Sequence, residues 1–91
     1  MPPCFHVVYN HKAIKALNKL DPAIRKKIIN WIDSHLSQSS NPRKRGTALT
    51  GKLSGLWRYR IGAYRVIVEI INDKIIILVL DVGHRRDIYR N

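Results

Sequence analysis

The chain has 91 residues, and its 17 Lys and Arg against six Asp and Glu give a formal net charge of +11. That length allows one domain, residues 1–91, and a hydrophobic content of 45% excludes a disordered chain. A surface this basic repels itself and attracts polyanions: nucleic acid, an anionic membrane or an acidic protein.

Cys4 is the single cysteine, so the chain cannot form an internal disulfide and is not a small secreted scaffold of that kind. Met1, Pro2, Pro3 and Cys4 provide neither a basic leader nor a long apolar stretch, so no signal peptide is expected. The longest apolar run, residues 75–80, is far too short to cross a bilayer. A cytoplasmic globular protein with no membrane association is the expectation. Cys4 and His6, two apart, are too few ligands for a metal site, and neither metal nor cofactor is expected.

Phe5, Val7 and Tyr9 alternate with Cys4, His6 and Val8, the period-two pattern of a strand. Asn10 can then cap a helix whose stripe is Ile14 and Leu17, extended by Ala13 and Leu20. Asp21-Pro22 marks a second helix start, with Asp as N-cap and Pro at the first helical position. From there Ile24, Ile28, Trp31, Ile32 and Leu36 recur at spacings of three and four, which makes a helical hairpin with a very short turn. Residues 37–42 are a polar breaker. The period then changes to two: a strand over 56–61, a turn at Gly62-Ala63, a strand over 64–71, a tight turn at Asn72-Asp73 and a strand over 74–82. The predicted class is α+β, an N-terminal strand and two-helix hairpin followed by an antiparallel meander, with the helices on one face of the sheet.

The charge is not spread evenly. No carboxylate occurs between Asp33 and Glu69, while Arg43, Lys44, Arg45, Lys52, Arg58, Arg60 and Arg65 all fall in that interval. Arg58 and Arg60, two apart, share one face of their strand, and Trp57, Tyr59 and Ile61 take the other and look like core. A two-residue turn at Gly62-Ala63 would set Arg60 directly across from Arg65. Like charges so placed are destabilising, so they either splay into solvent or hold an anion between them. After the last strand, Gly83-His84-Arg85-Arg86-Asp87-Ile88-Tyr89-Arg90 adds an imidazole, several guanidiniums and a phenol. Guanidiniums stabilise the charge that develops in phosphoryl transfer, and a placed His or Tyr can move the proton of an attacking hydroxyl. These are the parts that metal-free RNA cleavage requires.

Together, Leu-Thr-Gly at 49–51, Trp57-Arg58-Tyr59-Arg60, Ala63-Tyr64-Arg65-Val66 and Val82-Gly83-His84-Arg85 with Tyr89-Arg90 resemble the RelE/ParE toxin superfamily, and its RelE branch in particular. Each piece is weak alone; the ordered set spans essentially the whole chain. The resemblance implies the RelE-like fold and a toxin of a type II toxin–antitoxin system. It also implies cleavage of mRNA in the ribosomal A site by 2′-hydroxyl attack, without metal. Its implied partners are an acidic, RelB-like antitoxin, in a hetero-oligomer, together with ribosome and mRNA.

By the same resemblance, Arg65 matches the strand arginine at the scissile phosphate and Arg85 the C-terminal arginine. Arg58 or Arg60 matches the basic residue before the hairpin, and Tyr89 matches the terminal tyrosine, at a shorter spacing from the glycine. His84 stands where some relatives place a catalytic or accessory histidine. The catalytic set is therefore Arg65, Arg85, Tyr89 and His84, and the RNA-binding set is Arg58, Arg60, Lys52, Arg43, Lys44 and Arg45. Thr50 replaces an arginine of the best-known member, and no glutamate lies near the basic interval, so the general base stays open between His84 and Tyr89. A ParE-like toxin that inhibits gyrase by binding, without chemistry, has the same fold and charge. A degenerate RNA- or antitoxin-binding module is the third reading. Cleavage requires the sheet arginines and the His84/Tyr89 tail to meet on one face.

Overall fold

A computed structural model describes residues 4–84. β1 (His6–Tyr9) leads into α1 (His11–Asn18) and α2 (Pro22–His35). A 3-10 turn (Pro42–Arg45), β2 (Thr47–Ala48) and a second 3-10 turn (Gly51–Leu53) precede β3 (Trp57–Ile61), β4 (Tyr64–Ile71) and β5 (Ile76–His84). The five strands form one sheet in the order β1-β5-β4-β3-β2. β3, β4 and β5 make the antiparallel meander, while β1 returns to pair with β5 in parallel, so the sheet is mixed. The α+β architecture agrees with the sequence reading. The parallel pairing and the two-residue β2 go beyond it.

The N-terminus of α1 forms as its sequence requires: Asn10 Oδ1 accepts from the Ala13 N–H at 2.8 Å, a cap worth about 1 kcal/mol. The buried stripe is not the expected one. Ala13 and Leu17 are buried against the sheet, while Ile14 is 44% exposed. The way α1 lies on the sheet, with Ala13 and Leu17 inward, turns Ile14 outward. In α2 the start at Pro22 holds, but the Asp21 carboxylate makes no capping hydrogen bond. The entry rests on the fixed φ of proline and on the Arg25 N–H, which donates to the Asp21 carbonyl at 2.9 Å.

Ile28, Ile32 and Leu36, four apart, carry α2 into the core. There they join Tyr59, Ile61, Val66, Val68, Ile77, Val79 and Val82 from one face of the sheet. Trp31 tilts against Tyr59, ring centres 5.7 Å apart, and stacks on His35.

Gly62-Ala63 is a two-residue turn between the paired Ile61 and Tyr64. Its first residue has φ +62°, a left-handed conformation that glycine adopts without cost. The expected tight turn at Asn72-Asp73 is instead a four-residue connection, since Ile71 pairs with Ile76. It contains a 3-10 turn over Asn72–Lys74 and ends on Ile75 in the left-handed region at φ +56°. The Ile75 carbonyl accepts from the His6 N–H at 2.9 Å, so this turn also anchors the start of β1.

Candidate functional site

Strand register alone builds a basic face on the side of the sheet away from the helices. Arg60 lies opposite Arg65 and Arg58 opposite Ile67, while Tyr59 lies opposite Val66 on the buried side. The row continues onto both neighbours: Thr47 of β2 pairs with Arg58, and Gly83 of β5 with Arg65. Two arginines thus face each other across β3 and β4. Gly83, next in the row, adds no side chain to it. Arg60 is exposed, and Arg58 is half-buried. Arg65 is only 7% exposed, the one buried charged residue among those described. Burying a guanidinium is costly unless other groups compensate, so its place on the sheet is a demanding one.

The same register sets His84 apart. It pairs with Tyr64, one position away from the Arg65–Gly83 pair, and so belongs to the opposite, helix-covered side. Its ring meets Tyr64 edge-on, centres 5.6 Å apart. The structure brings Arg58, Arg60 and Arg65 together and does not bring His84 to them. Arg85 and Tyr89 lie outside the described residues.

The loop cations divide. Tyr59 is 0% exposed and donates its hydroxyl to the Pro42 carbonyl, which hangs the 3-10 turn Pro42–Arg45 on β3. Burial pushes the Tyr59 phenol up to about 12, and Arg43 pulls modestly the other way. From that turn Arg43 lies over the Trp57 ring at 5.8 Å and donates to Asn72 Oδ1 at 3.0 Å. It therefore serves as a tie between the loop and the β4–β5 connection. Lys44 and Arg45 are exposed and line a polar pocket of about 410 Å³ with Ser34, His35 and Asn41. Lys52 is exposed on the turn Gly51–Leu53. Thr47 was missed in the sequence because a two-residue strand has no periodicity to read. Among the described residues no three His, Cys, Asp or Glu side chains gather, and no helix is long and apolar enough to cross a membrane.

A model of the ParE toxin of type II toxin–antitoxin systems matches residues 7–89. The chain is a member of the RelE/ParE toxin superfamily. It is 31% identical to Toxin RelG of Mycobacterium tuberculosis over 86 residues, 94% of this chain and 97% of that one. Among solved structures, it superposes on a RelBE toxin–antitoxin complex from Mycobacterium tuberculosis with a TM-score of 0.84 and 28% identity, covering 96% of this chain and 98% of that one. The archaeal RelE–RelB complex from Pyrococcus horikoshii gives a TM-score of 0.69 at 27% identity, covering 92% of this chain and 98% of that one. The chain is thus a type II toxin with the two-helix, five-strand fold of RelE proteins.

Proposed function

We propose that this toxin is an endoribonuclease that cleaves mRNA in the ribosomal A site. The observation that carries the reading is the Arg60–Arg65 pair, flanked by Arg58, on the face of the sheet away from the helices. Two arginines on adjacent strands suit the non-bridging oxygens of one phosphate, and Gly83 adds no side chain at the next position of the row. In the reaction the ribose 2′-oxygen attacks the adjacent phosphorus and the bond from phosphorus to the 5′-oxygen breaks. The products are a 2′,3′-cyclic phosphate and a 5′-hydroxyl end. A base takes the 2′-hydroxyl proton, and the leaving 5′-oxygen gains one.

In this reading Arg65 and Arg85 bear the charge that develops on the phosphate, and Tyr89 is the group that moves the proton. His84, on the other side of the sheet, is a positioning residue at most, through Tyr64. Arg58, Arg60, Lys44, Arg45 and Lys52 contact RNA backbone, while Arg43 acts by holding the loop. An antitoxin of the RelB type is the partner that the solved complexes of its relatives suggest, and in this reading the toxin acts on ribosomes in the cytoplasm.

The second reading, a ParE-like toxin that acts on gyrase by binding alone, draws on two observations. The matching family model is described as a ParE toxin, and His84 does not join the arginines. Primer extension on a defined mRNA in a purified translation system separates the two. Cuts inside translated codons, lost in Arg65→Ala and Tyr89→Phe, are the expected result. Intact mRNA with inhibited supercoiling by purified gyrase would establish the second reading instead.

A further inference from the structure

We propose that the cleft between α1 and α2 beside Tyr9 is a binding site for a small aromatic carboxylate, separate from the arginine face of the sheet. Tyr9, Ile14, Leu17, Asn18, Arg25 and Ile29 line a cleft of about 210 Å³. Ile14, Leu17 and Ile29 are aliphatic and Tyr9 adds a ring, so water gains few hydrogen bonds there. The apolar wall opens to solvent at Ile14, which is 44% exposed. An apolar cavity of about 150 Å³ accepts a benzene ring, so this cleft takes one ring with a short arm.

Two polar groups of this lining lack a partner among the described residues. The Tyr9 hydroxyl is buried and makes no hydrogen bond there. Arg25 is half-buried, and its guanidinium has neither a hydrogen bond nor an ion pair among those residues. A buried donor without a partner is costly, and a guanidinium so placed suits a carboxylate, which it binds at two points. Arg25, Ile29 and Asp33 stand four apart in one row of α2 that spans about 12 Å. The Tyr9 phenol is pushed up to about 12 by burial and then by Asp33, so its end of the cleft disfavours an anion. The ligand's carboxylate therefore meets Arg25, and its ring lies on Ile14, Leu17 and Ile29. A neutral oxygen at the far end accepts from the Tyr9 hydroxyl. An aromatic ring is favoured over an aliphatic chain, because a pair of rings contributes beyond the area it buries. A nucleic acid fits less well, since the lining offers one cation and is otherwise largely apolar.

The probe is 4-hydroxyphenylacetate, titrated into the isotope-labelled full chain at about 150 mM salt, which screens the exposed cations. Backbone amide shifts followed by NMR should concentrate in residues 14–18 and 25–29. A dissociation constant on the order of 1 mM is expected for a ligand of about 11 heavy atoms. Arg25→Gln, which keeps the polarity and removes the charge, should weaken binding at least about 10-fold. Phenylacetate should bind the wild type roughly 5-fold more weakly than the hydroxylated acid, and Tyr9→Phe should abolish that difference. Ile14→Glu alters an exposed position and leaves the core intact, so it should block the cleft with an unchanged circular dichroism spectrum. Tyramine, which carries an ammonium in place of the carboxylate, should not bind. Equal binding of tyramine would overturn the proposal, as would a difference between the two acids that survives in Tyr9→Phe. So would binding that persists in Ile14→Glu, or shifts spread over the basic surface and reproduced by acetate, the diffuse response of a cationic protein to any anion.

Discussion

Two buried polar side chains govern the behaviour of this protein at the scale of single residues. Arg65 is buried on β4 directly opposite the exposed Arg60. Its replacement by alanine should reduce mRNA cleavage by about 10²–10³, the loss seen when one donor to a developing anion is removed. Cleavage assayed beside circular dichroism checks this, and undiminished cutting by a folded Arg65→Ala would remove Arg65 from the site.

Tyr59 is the second. Its folded-state pKa, about 12, stands above the ordinary 10.0, so the native state holds the phenolic proton more tightly than the unfolded chain. The corresponding stability is fully present below pH 10 and is lost as pH rises through about 12. Tyr9, also raised to about 12 by burial and by Asp33, adds in the same direction. Urea midpoints of wild type measured from pH 9 to 12 should therefore fall more steeply than those of Tyr59→Phe. At neutral pH that variant should be destabilised by roughly 1–3 kcal/mol, because the Pro42 carbonyl loses a buried donor. Parallel curves would show that Tyr59 ionisation does not limit the fold.

At the scale of elements, β3 serves two functions through its alternation. Its buried side, Tyr59 and Ile61, joins the core, while Arg58 and Arg60 face outward. The same strand holds the basic loop through the Tyr59 hydroxyl and through Gly46, where a Cβ would come within 3.0 Å of Tyr59 Cε1 and 3.3 Å of Trp57 Cε3. Gly46→Ala should thus cost about 1–3 kcal/mol by overpacking. It should also shift Lys44 and Arg45 relative to the sheet. Denaturant unfolding gives the first quantity, and RNA affinity gives the second. An unchanged stability would mean that Tyr59 and Trp57 yield easily, and that the loop is not fixed by this contact.

Across the whole molecule, the charge of +11 makes association with any polyanion depend on salt. If about four arginines contact RNA backbone, affinity for single-stranded RNA should fall roughly 50-fold between 50 and 200 mM salt. Titrations at four ionic strengths give the slope, and a flat response would be incompatible with a phosphate-binding arginine face.

The sequence by itself determined the two helices, the four longer strands and the clustering of charge between Asp33 and Glu69. Period-two runs around Arg58, Tyr59 and Val66, the Asn10 cap and the Gly62-Ala63 turn are local signals, and the short turn sets Arg60 against Arg65 without any distant contact. The family was legible for a related reason: its motifs are the residues of these same strands.

Only the tertiary structure decided what depends on distant parts of the chain meeting. The parallel return of β1 to β5 joins residues some seventy positions apart, and no local pattern encodes that pairing. The face of Ile14 follows from where α1 lands on the sheet. His84 sits one register position from Gly83, and in a strand one position reverses the side. That single step separates the imidazole from the arginines. The cleft beside Arg25 exists because α1, α2 and the end of β1 meet around it, a juxtaposition that only the assembled fold defines.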